Sequence, residues 1–141
     1  MFMPFPRTWS EELVAEWLQL KGHFVETGVP IRSGVKGGRS EADIVGVKLD
    51  KDILEIFHVE VGSLSGNPNK NADTVRRKFS PIRKNAITDY CRSKLGFSGK
   101  QVRYKELYVA VWWSDRTMSY LKSQGLPIKS LMDLIGKDCF E

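Results

Sequence analysis

Gly38-Arg39-Ser40-Glu41-Ala42-Asp43-Ile44-Val45-Gly46-Val47, answered by Ile53-Leu54-Glu55-Ile56-Phe57-His58-Val59-Glu60-Val61-Gly62, decides how this chain is read. Both runs are apolar and β-prone, and each carries an acid that an ordinary buried strand would not choose. Asp43 stands just ahead of Ile-Val-Gly-Val, and Glu60 stands between Val59 and Val61, where a lone carboxylate would be expensive to desolvate. Alternate strand residues share a face, so Ile56, His58, Glu60 and Gly62 point one way and Phe57, Val59 and Val61 the other, the second set reading as core. Asp43 and Glu60 are therefore candidate ligands of a hard cation, Mg²⁺ or Mn²⁺, with water and phosphate completing its shell. From spacing alone, two edge acids paired with neighbouring Lys or Arg fit equally well.

Working outward, Lys48-Leu49-Asp50-Lys51-Asp52 is a polar tip suited to a hairpin between the two runs. Upstream, His23 to Ile31 reads as a first strand that ends before Pro30, followed by a glycine-rich loop from Arg32 to Ser40. Together the three strands predict an antiparallel meander. Before them, Thr8 or Ser10 is a candidate N-cap for an amphipathic helix with Glu11 and Glu12 in its first turn and Leu13, Val14, Trp17, Leu18 and Leu20 on its stripe. That helix stops near Gly22. Residues 1 to 8, with Pro4 and Pro6, read as a lead-in.

Downstream, Ser63 to Asn71 is a breaker long enough for a mobile lid or a substrate-contacting loop. Asp73 to Leu95 reads as helix, interrupted at Pro81, with Val75, Phe79, Ile82, Ala86, Tyr90 and Leu95 as its stripe. Tyr104 to Trp113 is a central strand covered on both faces. Asp115 to Ser123 is a short helix, Leu126 to Ile128 an edge strand, and Ser130 caps a last helix. The expected fold is a single α/β domain, residues 1 to 141, with helices on both faces of a mixed sheet.

Composition narrows the function classes. The 141 residues carry 41% hydrophobic and 28% charged side chains, as a globular domain does. No apolar run approaches the roughly 18 residues of a membrane span, and the first residues lack signal-peptide features, so a cytoplasmic protein without membrane contact is expected. Cys91 and Cys139 have no CxxC partner, which points to free thiols. The net charge of +5 is uneven: residues 67 to 105 hold eleven Lys or Arg against Asp73 and Asp89, a local +9 that leaves −4 elsewhere. Lys70, Arg76, Arg77, Arg83 and Lys84 are the candidate phosphate contacts of a polyanion-binding face.

The Ser-Glu-Ala-Asp-Ile-Val run followed at hairpin distance by Val59-Glu60-Val61 resembles the core of the PD-(D/E)xK nuclease superfamily, which includes type II restriction enzymes and archaeal Holliday-junction resolvases. The resemblance covers residues 9 to about 113. It implies a restriction-endonuclease-like αβββαβ core in which Asp43 and Glu60 bind Mg²⁺ or Mn²⁺ and a helix glutamate assists. Glu11 is the better candidate for that glutamate, ahead of Glu12 and Glu16. One departure stands out. Where the family has Glu-x-Lys, this chain has Glu60-Val61-Gly62. Lys78 is the first choice for the displaced cation; Arg76, Lys70 and Lys48 are alternatives, and Gly62 with Ser63 could instead offer backbone N–H or a hydroxyl to a phosphate.

The expected function is a metal-dependent endonuclease acting on DNA, including branched DNA, as a homodimer; RNA stays open as a substrate. The rival expectations are a catalytically silent nucleic-acid-binding module and a structural subunit whose acids are plain ion pairs. His58 reads as a structural histidine or a site neighbour, and Glu41 as a site member or a partner of Arg39. Trp112 and Trp113 are candidates for base stacking, with at least one belonging to the core. Gly37 and Gly38 read equally as a plain turn or as a close approach to a duplex.

Overall fold

The computed structural model describes residues 9–31, 40–99 and 101–139. The element order is α1 (Trp9–Leu20), β1 (Phe24–Ile31), β2 (Ser40–Asp50), β3 (Ile53–Leu64), α2 (Pro68–Lys78), α3 (Pro81–Leu95), β4 (Gln101–Trp113), α4 (Asp115–Ser123), β5 (Ile128–Ser130) and α5 (Leu131–Cys139). The strands form one sheet in the order β1-β2-β3-β4-β5. β1, β2 and β3 are the expected antiparallel meander, whereas β3, β4 and β5 run parallel. The result is a mixed α/β sheet with helices on both faces.

Each face is sealed by a separate apolar layer. On one side Val14, Trp17 and Leu18 of α1 and Leu131 and Leu134 of α5 pack on Ile44, Val59, Leu107 and Val109. On the other, Ile87 and Cys91 of α3 cover Val29, Ala42, Val45, Leu54 and Ile56. Ala72 and Val75 of α2 and Met118 and Leu121 of α4 extend that layer over Leu64, Tyr108 and Ala110. Among the described residues, no helix is long and apolar enough to cross a membrane.

Several boundaries differ from the sequence expectation, each for a local reason. His23 precedes β1 rather than belonging to it, and β1 does not end before Pro30: it runs through Pro30, opposite Glu41, to Ile31, on an edge strand where a missing N–H is tolerated. Lys48 to Asp50 continue β2, and the hairpin turns on Lys51 and Asp52 alone, with Lys51 at φ 57°. The long breaker after β3 contracts because β3 runs on to Leu64 and Asn67 caps α2 through Asn69 N–H and Lys70 N–H, five residues or more ahead of the expected start. Pro81 does end the helical run: Ser80 caps a new helix, α3, and the break resets the helical phase. Ile82 and Leu95, expected on the stripe, are therefore exposed, and Ile87 and Cys91 are buried instead. β4 starts at Gln101 and β5 follows Pro127 rather than containing it. Ser130 caps α5 by accepting Asp133 N–H at 3.1 Å. α1 begins at Trp9, which places Ser10 inside the helix; Thr8, the lead-in, Gly37, Gly38, Arg39 and the side chains of Glu41 and Cys139 lie outside the described residues.

Candidate functional site

The site begins where β2 and β3 part. Their ladder ends at the pair Ile44 and Val59; beyond it β2 pairs only with β1 and β3 only with β4. On the β1 side, Gly28 lies opposite Asp43 in a gap between the Thr27–Ile44 and Val29–Ala42 pairs, at φ 62°, a conformation glycine adopts without steric cost. At this fork the two acids replace the missing rungs. Asp43 N–H donates to Glu60 Oε2 at 2.7 Å, and Val61 N–H donates to Asp43 Oδ2 at 3.0 Å. Each carboxylate is thus aimed by the other strand's backbone.

Glu60 is fully buried, which corrects the expectation that only the Phe57, Val59 and Val61 face of β3 is core. His58, on the same face, is equally buried: its Nδ1 lies 3.1 Å from Tyr104 Oη and its Nε2 3.2 Å from Glu60 Oε2. Among the described residues Nε2 has no hydrogen-bond partner, although Glu60 Oε2 lies within ion-pair distance of it. Lys78, from the last turn of α2, brings Nζ to 3.4 Å from Glu60 Oε1, and an Arg83 guanidinium nitrogen stands 3.9 Å from the same oxygen. Burial pushes the Glu60 carboxyl up, but His58, the Asp43 amide and Lys78 outweigh it and hold the group below its ordinary value. Asp43 goes the other way: burial first and the Glu60 charge second raise it to about 6, with Glu11 adding to the effect and Val61 N–H and Lys78 opposing it.

Glu11 is the α1 acid turned inward; it is buried, whereas Glu12 and Glu16 are exposed. It shares a cleft of about 640 Å³ with Trp9, Ser10, Val61, Gly62, Ser63, Val111 and Trp112. Among the described residues no group of three or more His, Cys, Asp or Glu is disposed to hold a metal ion. The pair Asp43 and Glu60 nonetheless fits a hard cation. Among the described residues Glu60 Oε1 is buried and accepts no hydrogen bond, and Asp43 is held where its charge is resisted, the two conditions a cation relieves. Water and phosphate oxygens would have to supply the remaining ligands.

At the lysine position of the resemblance, the chain has an occupant that sequence reasoning missed. A Cβ built on Gly62 would overlap the hydroxyl of Tyr108, whose residue pairs with Glu60 across the parallel β3–β4 ladder. Tyr108 is buried, and desolvation, Asp43 and Glu60 push its phenol up to about 12, so it is an O–H donor throughout the neutral range. The signal in the sequence was a single tyrosine ahead of Val-Ala-Val in β4, unreadable without the register.

The basic residues divide into two groups. Lys70, Arg76 and Arg77 line an open groove of about 650 Å³ on α2 with Asp73 and Thr74. Arg76 lies 3.5 Å from Asp73, and Arg77 donates to Thr74 Oγ1 at 3.4 Å. Arg83 is turned inward, donating to Lys78 O at 3.2 Å with only 17% of its side chain exposed. Lys84 lies over the Tyr104 ring at 5.1 Å. Farther along β3, Glu55 gathers His23 (2.8 Å), Lys105 (3.2 Å) and Arg103 (3.4 Å) into an ion cluster remote from the acid pair. Lys48 is exposed and donates to Lys21 O.

No protein-family model and no curated protein matches the chain. Among solved structures, the crystal structure of AF1548, a protein of unknown function, is similar at TM-score 0.47 and 14% identity. The likeness covers 86% of this chain, which spans 56% of that one.

Proposed function

We propose that the protein is a metal-dependent endonuclease that hydrolyses DNA phosphodiester bonds, with Asp43 and Glu60 as metal ligands and Lys78 as the cation beside the reacting phosphate. One observation carries the reading: two acids exchange backbone hydrogen bonds at a strand fork, and the oxygen left without a hydrogen bond, Glu60 Oε1, faces Lys78 Nζ at 3.4 Å. Bound Mg²⁺ or Mn²⁺ would activate water and offset the charge that develops on the phosphate.

The chain's own residues do the rest. Asp43 and Glu60 are pre-aimed by Val61 N–H and Asp43 N–H, so little reorganisation is needed when substrate arrives. His58 stands beside Glu60 Oε2 and Arg83 beside Oε1, the oxygen that also faces Lys78. Lys78, whose side chain is 37% exposed, can swing from Glu60 to a phosphate oxygen. Glu11 adds negative charge near Asp43 and so favours a cation there. Lys70, Arg76 and Arg77 hold the phosphate backbone without reading sequence. A cytoplasmic homodimer would present one site to each strand of a duplex; RNA is the second substrate to test.

The test is incubation with supercoiled, linear and four-way-junction DNA, and with RNA, in Mg²⁺, Mn²⁺ or EDTA. Metal-dependent nicking that disappears in Asp43→Asn and Glu60→Gln supports the nuclease. The Gly62–Tyr108 packing favours a second reading, a silent nucleic-acid-binding module. Salt-sensitive binding that survives both substitutions, with no cleavage under any metal, would establish it.

A further inference from the structure

We propose that the cleft between the start of α1 and the ends of β3 and β4 is a base-stacking subsite, in which Trp9 and Trp112 receive an unpaired nucleobase beside the acid pair. This rests on the nuclease reading and adds the substrate class: a strand with single-stranded character at the reacting phosphate. Indoles are ordinarily well buried, yet Trp9 is 62% exposed and Trp112 73% exposed, and both line this one cleft. The same cleft includes Gly62 and Ser63, two and three residues beyond Glu60 on β3.

A backbone irregularity puts Trp112 there. Strict alternation along β4 would place Trp112 on the face of Tyr108 and Ala110, under α2 and α4. Between Gly62 and Ser63 the β3–β4 register shifts, so that Gly62 pairs with Ala110 but Ser63 pairs with Trp112, and Val111 is the extra residue. The bulge reverses the facing of the last two β4 residues: Trp113 joins the Tyr108 and Ala110 cluster, and Trp112 turns to the α1 side. A bulge that moves an indole out of a core and into water, two residues past a site acid, makes sense when the indole has a planar partner. Nucleic acid is the occupant the surroundings favour, because Val61, which lines the cleft, donates its N–H to Asp43, so that a base stacked in the cleft sits next to the proposed reacting phosphate.

The experiment uses the full chain in EDTA, where nothing is cut. Fluorescein-labelled oligonucleotides, one single-stranded, one duplex of equal length and one duplex with a single-stranded flap, are titrated by anisotropy while tryptophan emission is followed. Expected are quenched emission and tighter binding of the single-stranded and flap probes. Trp9→Ala with Trp112→Ala should weaken those two by roughly tenfold to a hundredfold, with little change for the duplex, and the Phe variants should recover most of the affinity. Near-UV circular dichroism and a melt establish that each variant is folded. Equal binding of all probes, or Ala variants that bind the flap as the wild type does, overturns the subsite. So does an association of protein copies that the Ala substitutions abolish while DNA binding is unchanged. Cleavage in Mg²⁺ is scored separately: stacking without cleavage keeps the subsite and removes the nuclease, whereas cleavage indifferent to the tryptophans does the reverse.

Discussion

The hydroxyl of Tyr108 stands where a side chain on residue 62 would begin, so Gly62 and Tyr108 form one packing unit across the β3–β4 ladder. Gly62→Ala should destabilise the fold by about 1–3 kcal/mol, the usual cost of overfilling a packed site. Tyr108→Phe removes the worst overlap, so Gly62→Ala should cost less in that background. Urea denaturation of the four proteins measures the coupling; strictly additive effects would disprove it. By the same packing, Gly62→Lys should not raise cleavage.

Asp43 sets a pH dependence whose sign is fixed by its raised carboxyl. In the folded chain it titrates at about 6, against 3.8 when unperturbed. The native state therefore holds the proton more tightly, and stability falls as pH rises from about 4 to about 6, with no contribution below that window and a constant penalty above it. Asp43→Asn, which keeps an oxygen for Val61 N–H, should stabilise the metal-free protein at pH 7.5 by on the order of 2 kcal/mol. The gain should vanish near pH 4. Urea midpoints across that range check it, and a gain that persists at pH 4 would count against this cause.

Metal ions should reverse that order. Mg²⁺ or Mn²⁺ in millimolar amounts should raise the melting temperature of the wild type and leave Asp43→Asn and Glu60→Gln unmoved, since only the native pair of carboxylates gathers the charge. Protons compete for Asp43, so the shift should fade below pH 6. Identical shifts in wild type and variants would place any bound metal elsewhere.

Lys78→Met should lower cleavage by roughly a hundredfold or more while leaving the protein folded, because it removes a positive group from the reacting phosphate. Lys78→Arg should recover part of the activity. Single-turnover rates at saturating DNA separate this loss from weakened binding.

Lys70, Arg76 and Arg77 line an open groove, whereas Arg83 turns inward to Glu60 and Lys84 lies on Tyr104. The triple alanine variant of the groove residues should bind duplex DNA more weakly and flatten the dependence of log affinity on log salt by roughly 2–3. Anisotropy titrations at several salt concentrations read the slope.

Much of this arrangement was legible in the sequence because it is written in short-range patterns. Alternating apolar residues around Asp43 and Glu60 mark two strands, and the polar tip between them leaves a hairpin as the simplest joint. Glu11 could be preferred to Glu12 because aligning the resemblance on Gly22 points to it and the helical stripe turns Glu12 farther from the apolar face. The phase of α3 could not be read, since Pro81 restarts the helix and moves Ile82 out and Ile87 in. Asn67-Pro68 was a readable cap and first turn, outweighed by the surrounding Gly, Asn and Ser. The Tyr108 hydroxyl over Gly62 and the reversed facing of Trp112 needed the β3–β4 register, which links segments more than forty residues apart.

The exchange of hydrogen bonds at the β2–β3 fork has one more result. Each acid supplies the rung that aims its counterpart, so neither can be deleted alone: truncating Asp43 frees Val61 N–H, and truncating Glu60 frees Asp43 N–H. Loss of function in a single alanine variant therefore reports the collapse of a joint as much as the loss of a ligand, and removing the second acid should add little to removing the first.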